Sequence, residues 1–144
     1  MIIDKIKISD IDQYSKLCDE LFGSQTNLIK LEKSLKKILI NEDYILVGIK
    51  NESGKLIGSV MGILCQDTVG ECRPFVVLEN LIVSTEYRKI GLGKRLITYI
   101  EDWARENESY FIMFMSLAKR KEAHAFYESM GYSQEISNGF KKYL

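Results

Sequence analysis

Cysteine, proline and histidine are scarce in this chain, and each scarcity closes off a class of protein. Its three cysteines, Cys18, Cys65 and Cys72, form no C-x-x-C pair, and His124 is the only histidine. Neither a disulfide framework nor a zinc site with regular ligand spacing is therefore expected, and no metal is assigned. With one proline, Pro74, and no Ser/Gly/Pro-rich stretch or repeat, no linker is visible and residues 1–144 read as one domain. Neither sign of charge is in excess, with 20 Lys+Arg against 20 Asp+Glu, so no net field recruits nucleic acid or an anionic membrane. No apolar run approaches the ~18 residues of a membrane helix. Asp4, Lys5, Lys7 and Asp10 interrupt the isoleucines at the N-terminus, which lacks the apolar centre of a secretory signal. The expected location is the cytoplasm.

What is present is a sequence of amphipathic and alternating segments. Ile6 and Ile8 alternate with Lys5 and Lys7 as a first strand, and Ser9 to Asp12 makes an approximate capping box for a helix carrying Ile11, Tyr14, Leu17, Cys18 and Leu21. A second helix carries Leu28, Leu31, Leu35, Ile38 and Leu39. Tyr44 to Lys50 and Lys55 to Cys65 form a hairpin around Asn51-Glu52-Ser53-Gly54, and the loop Gln66 to Pro74 leads to a strand over Phe75 to Val83. A helix with Leu92, Leu96, Ile97, Ile100 and Trp103 on one face follows. Then come a strand from Tyr110 to Leu117, a helix around Tyr127 and a terminal strand ending Gly139-Phe140-Lys141-Lys142-Tyr143-Leu144. The order predicts an α+β domain with antiparallel hairpins first and a right-handed parallel β-α-β crossover later.

The junction Arg88-Lys89-Ile90-Gly91-Leu92-Gly93-Lys94, between the Phe75 strand and the next helix, is the most informative segment. A helix N-terminus leaves backbone N–H groups without intrahelical partners and carries roughly half a positive charge, so a basic, glycine-bearing turn there can cradle an anion, most often phosphate. A Walker P-loop is excluded, because Arg88 stands where the first glycine should be and Arg95 where Ser or Thr should be. A dinucleotide fingerprint is excluded because Leu96 replaces its third glycine.

The remaining pattern, R-x-x-G-x-G after a strand, resembles the acyl-CoA pyrophosphate loop of the GNAT acyltransferase superfamily. About thirty residues downstream, Ala123-His124-Ala125-Phe126-Tyr127-Glu128-Ser129-Met130-Gly131-Tyr132 resembles that superfamily's A-x-x-F-Y-x-x-x-G-F/Y helix. The likeness extends over the whole chain and is most specific from Val76 to Tyr132. It implies a central mixed, mostly antiparallel sheet with a splayed parallel strand pair and about four flanking helices. It also implies an N-acetyltransferase that takes acetyl from acetyl-CoA and passes it directly to a primary amine in a ternary complex.

The resemblance assigns roles residue by residue. Backbone N–H groups of Lys89, Ile90, Gly91, Leu92, Gly93 and Lys94 hold the donor pyrophosphate, with Arg88, Lys89 and Lys94 adding charge. Leu81, Ile82 and Val83 present main chain to the pantetheine and acetyl carbonyl, with one N–H exposed by a strand bulge as oxyanion donor. Glu79 interrupts an apolar strand and is the candidate general base, directly or through a water; the alternative is a side chain simply turned to solvent. Tyr127 is the candidate general acid for the leaving thiolate, since a phenol stays protonated at neutral pH; the alternative is a core aromatic beside Phe126 and Met130. Phe126 belongs to the cofactor-lining part of the same motif. Where many relatives carry Asn, this chain has Arg120, which reaches the cofactor or caps the helix. His124 is assigned to packing or support rather than to chemistry.

The acceptor pocket of the family is built from the first two helices, the connection Phe22 to Asn27 and the loop Gln66 to Pro74. These segments hold neither a cluster of one charge sign nor an aromatic cage, so a small-molecule amine is the default acceptor. A protein N-terminal or lysine acetyltransferase, or a non-catalytic acyl-CoA sensor or scaffold of the same fold, are the other readings. A homodimer paired through sheet edges and C-terminal strands is also expected.

Overall fold

The alternating segments assemble into one five-stranded sheet in the order β1-β2-β3-β4-β5, in a computed structural model that describes residues 1–144. The chain packs as two units, Met1–Met113 and Phe114–Leu144. The first holds β1 (Ile2–Lys5), α1 (Ile11–Phe22), α2 (Leu28–Ile38), β2 (Tyr44–Lys50), β3 (Leu56–Cys65), β4 (Phe75–Val83), α3 (Leu92–Glu106) and β5 (Ile112–Met113). The second holds α4 (Lys121–Ser129). Strands β1 to β4 pair antiparallel, and β4 pairs with β5 in parallel.

The start of the chain departs from its alternation. β1 ends at Lys5, and Ile8–Asp10 form a 3-10 turn instead of prolonging the strand. Asp10, rather than Ser9, causes this: its carboxylate accepts from the Lys7 N–H at 3.0 Å and from Lys50 Nζ at 2.6 Å, drawing the chain off the sheet edge and into α1. Burial alone would raise the Asp10 pKa, but the Lys50 and Lys7 hydrogen bonds and charges outweigh it and hold the carboxyl below its ordinary value. In the β2–β3 turn, Asn51 Oδ1 accepts from the Ser53 and Lys55 N–H groups, and Gly54 takes the left-handed φ of +80° that closes it.

The sheet is covered on both faces. One face carries the cluster Ile6, Tyr14, Leu17, Leu35, Leu46, Leu56 and Ile82, packed under α1 and α2. Leu35 is the one fully buried side chain of α2, and Leu28 is exposed rather than part of the packing face. The other face lies under α3, whose Leu92, Leu96, Ile97 and Ile100 are buried at i, i+4, i+5 and i+8 spacing, each contributing roughly 1.5–3 kcal/mol. Trp103 is half-buried. Glycine on β3 sets the close approach of α3: a Cβ at Gly62 would lie 3.1 Å from the Trp103 ring and 3.2 Å from Ile100.

The parallel pairing is brief. It covers Val76 with Ile112 and Val77 with Met113, so the expected strand over Tyr110 to Leu117 shrinks to two residues. Beyond Val77, β4 runs on to Val83 with β3 as its only ladder partner.

In the second unit, the Phe114 ring packs against Tyr127 at 4.5 Å and Tyr132 at 5.0 Å between centroids. Gly131, at φ +90°, turns the chain out of α4. The terminal strand expected at residues 139–144 does not form: no ladder is made there, and Phe140 and Tyr143 are 92 % and 81 % exposed. The Lys141-Lys142 pair breaks the alternation a half-buried strand requires.

Replacing Asp10 by Asn should lower stability at pH 7 by about 1–3 kcal/mol, the usual range for a buried hydrogen-bonded group deprived of its partner's charge. A depressed carboxyl pKa stabilises the fold above the ordinary value of 3.8 and loses that contribution as pH falls through the folded-state value. Urea melts of both proteins should therefore differ at pH 7 and converge toward pH 2. An equal gap at both ends would contradict the Asp10–Lys50 assignment.

Candidate functional site

An irregularity in β4 places the first functional element. Met61 pairs with Glu79 and Ser59 with Ile82, so Asn80 and Leu81 stand opposite Val60 alone and form a β-bulge. Asn80 takes a left-handed φ of +53°, a conformation Asn tolerates better than most residues. The extra residue switches the parity of the strand. Leu78 lies across from Gly62 on the α3 side, whereas Glu79 lies across from Met61 and Ile82 across from Ser59, both on the α1–α2 side. Val83, across from Gly58, returns to the α3 side. Glu79 is exposed, and its carboxylate makes no hydrogen bond or ion pair with the protein.

β4 then turns sharply toward α3 through Ser84 and the 3-10 turn Thr85–Tyr87. The Ser84 N–H donates to Ile57 O at 2.9 Å, and Glu20 of α1 accepts from Ser84 Oγ, Thr85 N–H and Thr85 Oγ1 at 3.0–3.1 Å. From the other side, Asn51 Nδ2 donates to Tyr87 Oη at 3.2 Å and Lys55 pairs with Glu86 at 3.1 Å. Burial would raise the Glu20 pKa, but these donors and the nearby Arg88 charge hold it below its ordinary value.

The loop that follows is held at its ends and open along its length. Arg88 Nε donates to Val83 O at 3.0 Å, so this side chain is partly committed to its own strand. Lys89 has φ +64° and Gly91 φ +84°, and Gly91 stands at the N-terminus of α3 with no side-chain cap. The first main-chain donor to rejoin the helix ladder is Arg95, to Gly91 O at 3.1 Å. The N–H groups from Lys89 through Lys94 have no protein acceptor, and a Cβ at Gly91 would meet nothing within 4 Å. A row of unpaired donors at a helix start, with room above it and Lys89 and Lys94 exposed beside it, suits a phosphate-bearing ligand.

The second unit carries the other sequence candidates. Tyr127 is half-buried on α4 between Phe114 and Phe126, and burial raises its pKa while the Arg120 charge pulls the other way. The phenol therefore keeps its proton at neutral pH. Arg120 is exposed at the start of α4 and caps nothing with its side chain, although its carbonyl accepts from the His124 N–H. The His124 ring nitrogen Nε2 lies 3.0 Å from Leu117 O, tying α4 to the preceding loop. That is a supporting contact.

Periodicity did not reveal the Glu20 clamp or the Asn51–Tyr87 contact, since both join residues more than thirty positions apart. The bulge left a trace: Glu79-Asn80 is a polar pair that breaks a strand otherwise built from apolar residues.

This chain belongs to the acetyltransferase (GNAT) family, whose model matches residues 11–132. Members of that family use acetyl-CoA. The chain is 30 % identical over 112 residues to the uncharacterized N-acetyltransferase YhdJ of Bacillus subtilis (strain 168), covering 77 % of this chain and 74 % of that protein. Among solved structures, a GNAT family acetyltransferase from Staphylococcus aureus is 28 % identical with a TM-score of 0.80, covering 99 % and 98 % of the two chains. Glucosamine-6-phosphate N-acetyltransferase from Arabidopsis thaliana, 22 % identical with a TM-score of 0.85 and coverage of 99 % and 97 %, shares the fold.

Coenzyme A itself probes the loop. A Gly91→Val, Gly93→Val double variant should bind it at least roughly ten-fold more weakly by calorimetry, because added side chains crowd the row of donors and valine resists the left-handed conformation at position 91. Unchanged affinity would remove the loop from the binding site.

Proposed function

We propose that this protein is an acetyl-CoA-dependent N-acetyltransferase acting on the primary amine of a small molecule, by direct transfer in a ternary complex, with residues 1–144 as one catalytic domain. The unpaired N–H row from Lys89 through Lys94, placed directly after a bulged strand that carries Glu79, is the observation that supports it most. The family model also spans residues from both packing units.

On this reading, each element has a task. The bound donor supplies an acyl carbon activated as a thioester. Lys89 to Lys94 hold its pyrophosphate through main-chain N–H groups, with the α3 dipole and the lysines favouring the negative charge. The strand from Leu81 to Val83 offers main chain to the pantetheine and carbonyl oxygen. Glu79 removes a proton from the acceptor ammonium, and its exposure suits transfer through an intervening water. Tyr127 gives a proton to the departing sulfur; its raised pKa ensures that the phenol is present to do so at neutral pH. Arg120 and Phe126 belong to the donor side of α4.

The competing reading is a non-catalytic acyl-CoA sensor. Free-thiol release from acetyl-CoA, screened against amines of several classes and against peptide N-termini, separates the two. With a verified acceptor, Tyr127→Phe should lower kcat by roughly ten- to ten-thousand-fold with donor binding retained. Glu79→Gln should depress turnover and leave a residual rate that climbs with pH, as solution supplies the free amine. Wild-type rates in both variants would assign these residues to packing and solvation, leaving positioning and water to account for catalysis.

A further inference from the structure

The parallel ladder between β4 and β5 spans two residues on each strand, yet the stretch just before it is fastened at several points, all within Met1–Met113. The Tyr110 N–H donates to Pro74 O at 2.8 Å and the Val76 N–H to Phe111 O at 3.0 Å. The Phe75 and Phe111 rings stack, with centroids 5.1 Å apart and planes 13° from parallel. Arg73 adds the outermost hold: Nε donates to Glu108 O and Nη2 to Ser109 O, both at 3.3 Å, and the guanidinium lies 5.3 Å from the centroid of the Tyr110 ring. These carbonyls follow the C-terminus of α3, where the left-handed Glu108 (φ +55°) turns the chain and the helix dipole favours a cation. The ladder ends at Met113, and Leu81 to Val83 run past the last parallel pair with β3 as their only ladder partner.

We propose that Arg73 and the Phe75–Phe111 stack form a clamp that fixes the point at which β4 and β5 part, making Arg73 a positioning residue for the pantetheine arm of the donor along Leu81–Val83. The inference deepens the proposed function and rests on its reading of Leu81–Val83 as the main chain that meets the arm. A ladder of two pairs has few hydrogen bonds with which to hold its own register, and the clamp supplies the rest from side chains and from the carbonyls after α3. Arginine suits this place because its planar fork reaches two carbonyls at once while its face lies over an aromatic ring, an arrangement lysine does not reproduce. With the base of the pair held, an arm lying along β4 meets a strand edge already set, and little of the binding free energy goes into ordering the protein. With the base loosened, part of it goes into re-forming the pair. The Lys89–Lys94 loop is entered through a turn that Glu20, Asn51 and Lys55 hold, so its grip on phosphate does not depend on the clamp.

Amide hydrogen exchange with and without saturating coenzyme A tests this and needs no acceptor. Wild-type protein should gain protection at Lys89–Lys94 and at Leu81–Val83. Arg73→Ala should keep the gain at the loop, lose most of the gain at Leu81–Val83, exchange faster at Ile112 and Met113 without ligand, and bind coenzyme A roughly three- to ten-fold more weakly by calorimetry. Arg73→Lys, which keeps the charge but not the fork, should fall between wild type and Arg73→Ala. Phe111→Leu, which removes the stack but keeps an apolar side chain, should repeat the pattern and serves as the second variant if Arg73→Ala melts early. Wild-type affinity and wild-type protection of Leu81–Val83 in Arg73→Ala and Phe111→Leu would overturn the clamp. An equal loss of protection at both segments would overturn it too, because the substitution would then act through overall stability. Protection of the loop without Leu81–Val83 in wild-type protein would overturn the placement of the arm and the clamp's role while leaving the phosphate site intact. Failure of wild-type protein to bind coenzyme A would overturn the donor-site reading and this inference together.

Discussion

One extra residue in β4 governs the arrangement around it. A strand that kept strict alternation from Val76 to Val83 could not place Leu78 against α3 and Ile82 against the α1–α2 cluster. The bulge at Asn80–Leu81 makes the change of face, and the left-handed Asn80 is the local cost, of order 1–2 kcal/mol for a residue with a Cβ. Burial of Ile82 offsets a cost of that size. The same extra residue brings Val83 back toward α3 and aims Ser84 and Thr85 at Glu20, so the path into the glycine loop follows from it.

The loop shows how stability and availability are divided. Its entrance is held from two sides, by Glu20 on α1 and by Asn51 and Lys55 on the β2–β3 turn. Its exit is the first turn of α3, anchored by buried Leu92 and Leu96. Between these anchors the backbone donors from Lys89 to Lys94 stay free of protein partners. Unpaired N–H groups are costly when buried and tolerable when exposed to water or a ligand, which explains why the loop lies at the surface while both its ends are fixed. Glycine on β3 contributes indirectly, since the close packing of α3 over Gly58 and Gly62 holds that helix start in place.

Membership of the GNAT family defines the type of reaction but leaves the acceptor open. A fold shared with glucosamine-6-phosphate N-acetyltransferase at 22 % identity carries no acceptor over to this chain. The exposed surface near the α1–α2 connection carries Phe22 and Ile29, at 85 % and 83 % exposure, beside the lysines of α2.

Much of the architecture was legible without coordinates. The β2 boundaries, the β4 boundaries and the buried stripe of α3 follow from period-2 and period-3.6 patterns, because each reflects a local backbone geometry repeated over many residues. The Arg88–Lys94 loop was legible for the same reason: two glycines and a strand-to-helix switch are contiguous. Only tertiary structure could decide what depends on distant partners. Asp10 stops the first strand because Lys50 lies forty residues away, and Glu20 holds the loop across a separation of sixty-five. The tail shows the converse, since apolar residues at 140, 143 and 144 make a strand only where a neighbour offers a ladder, and none does here. Local pattern determines which segments can be helix or strand; hydrogen-bond partners brought together by folding determine where they stop and which backbone groups remain free.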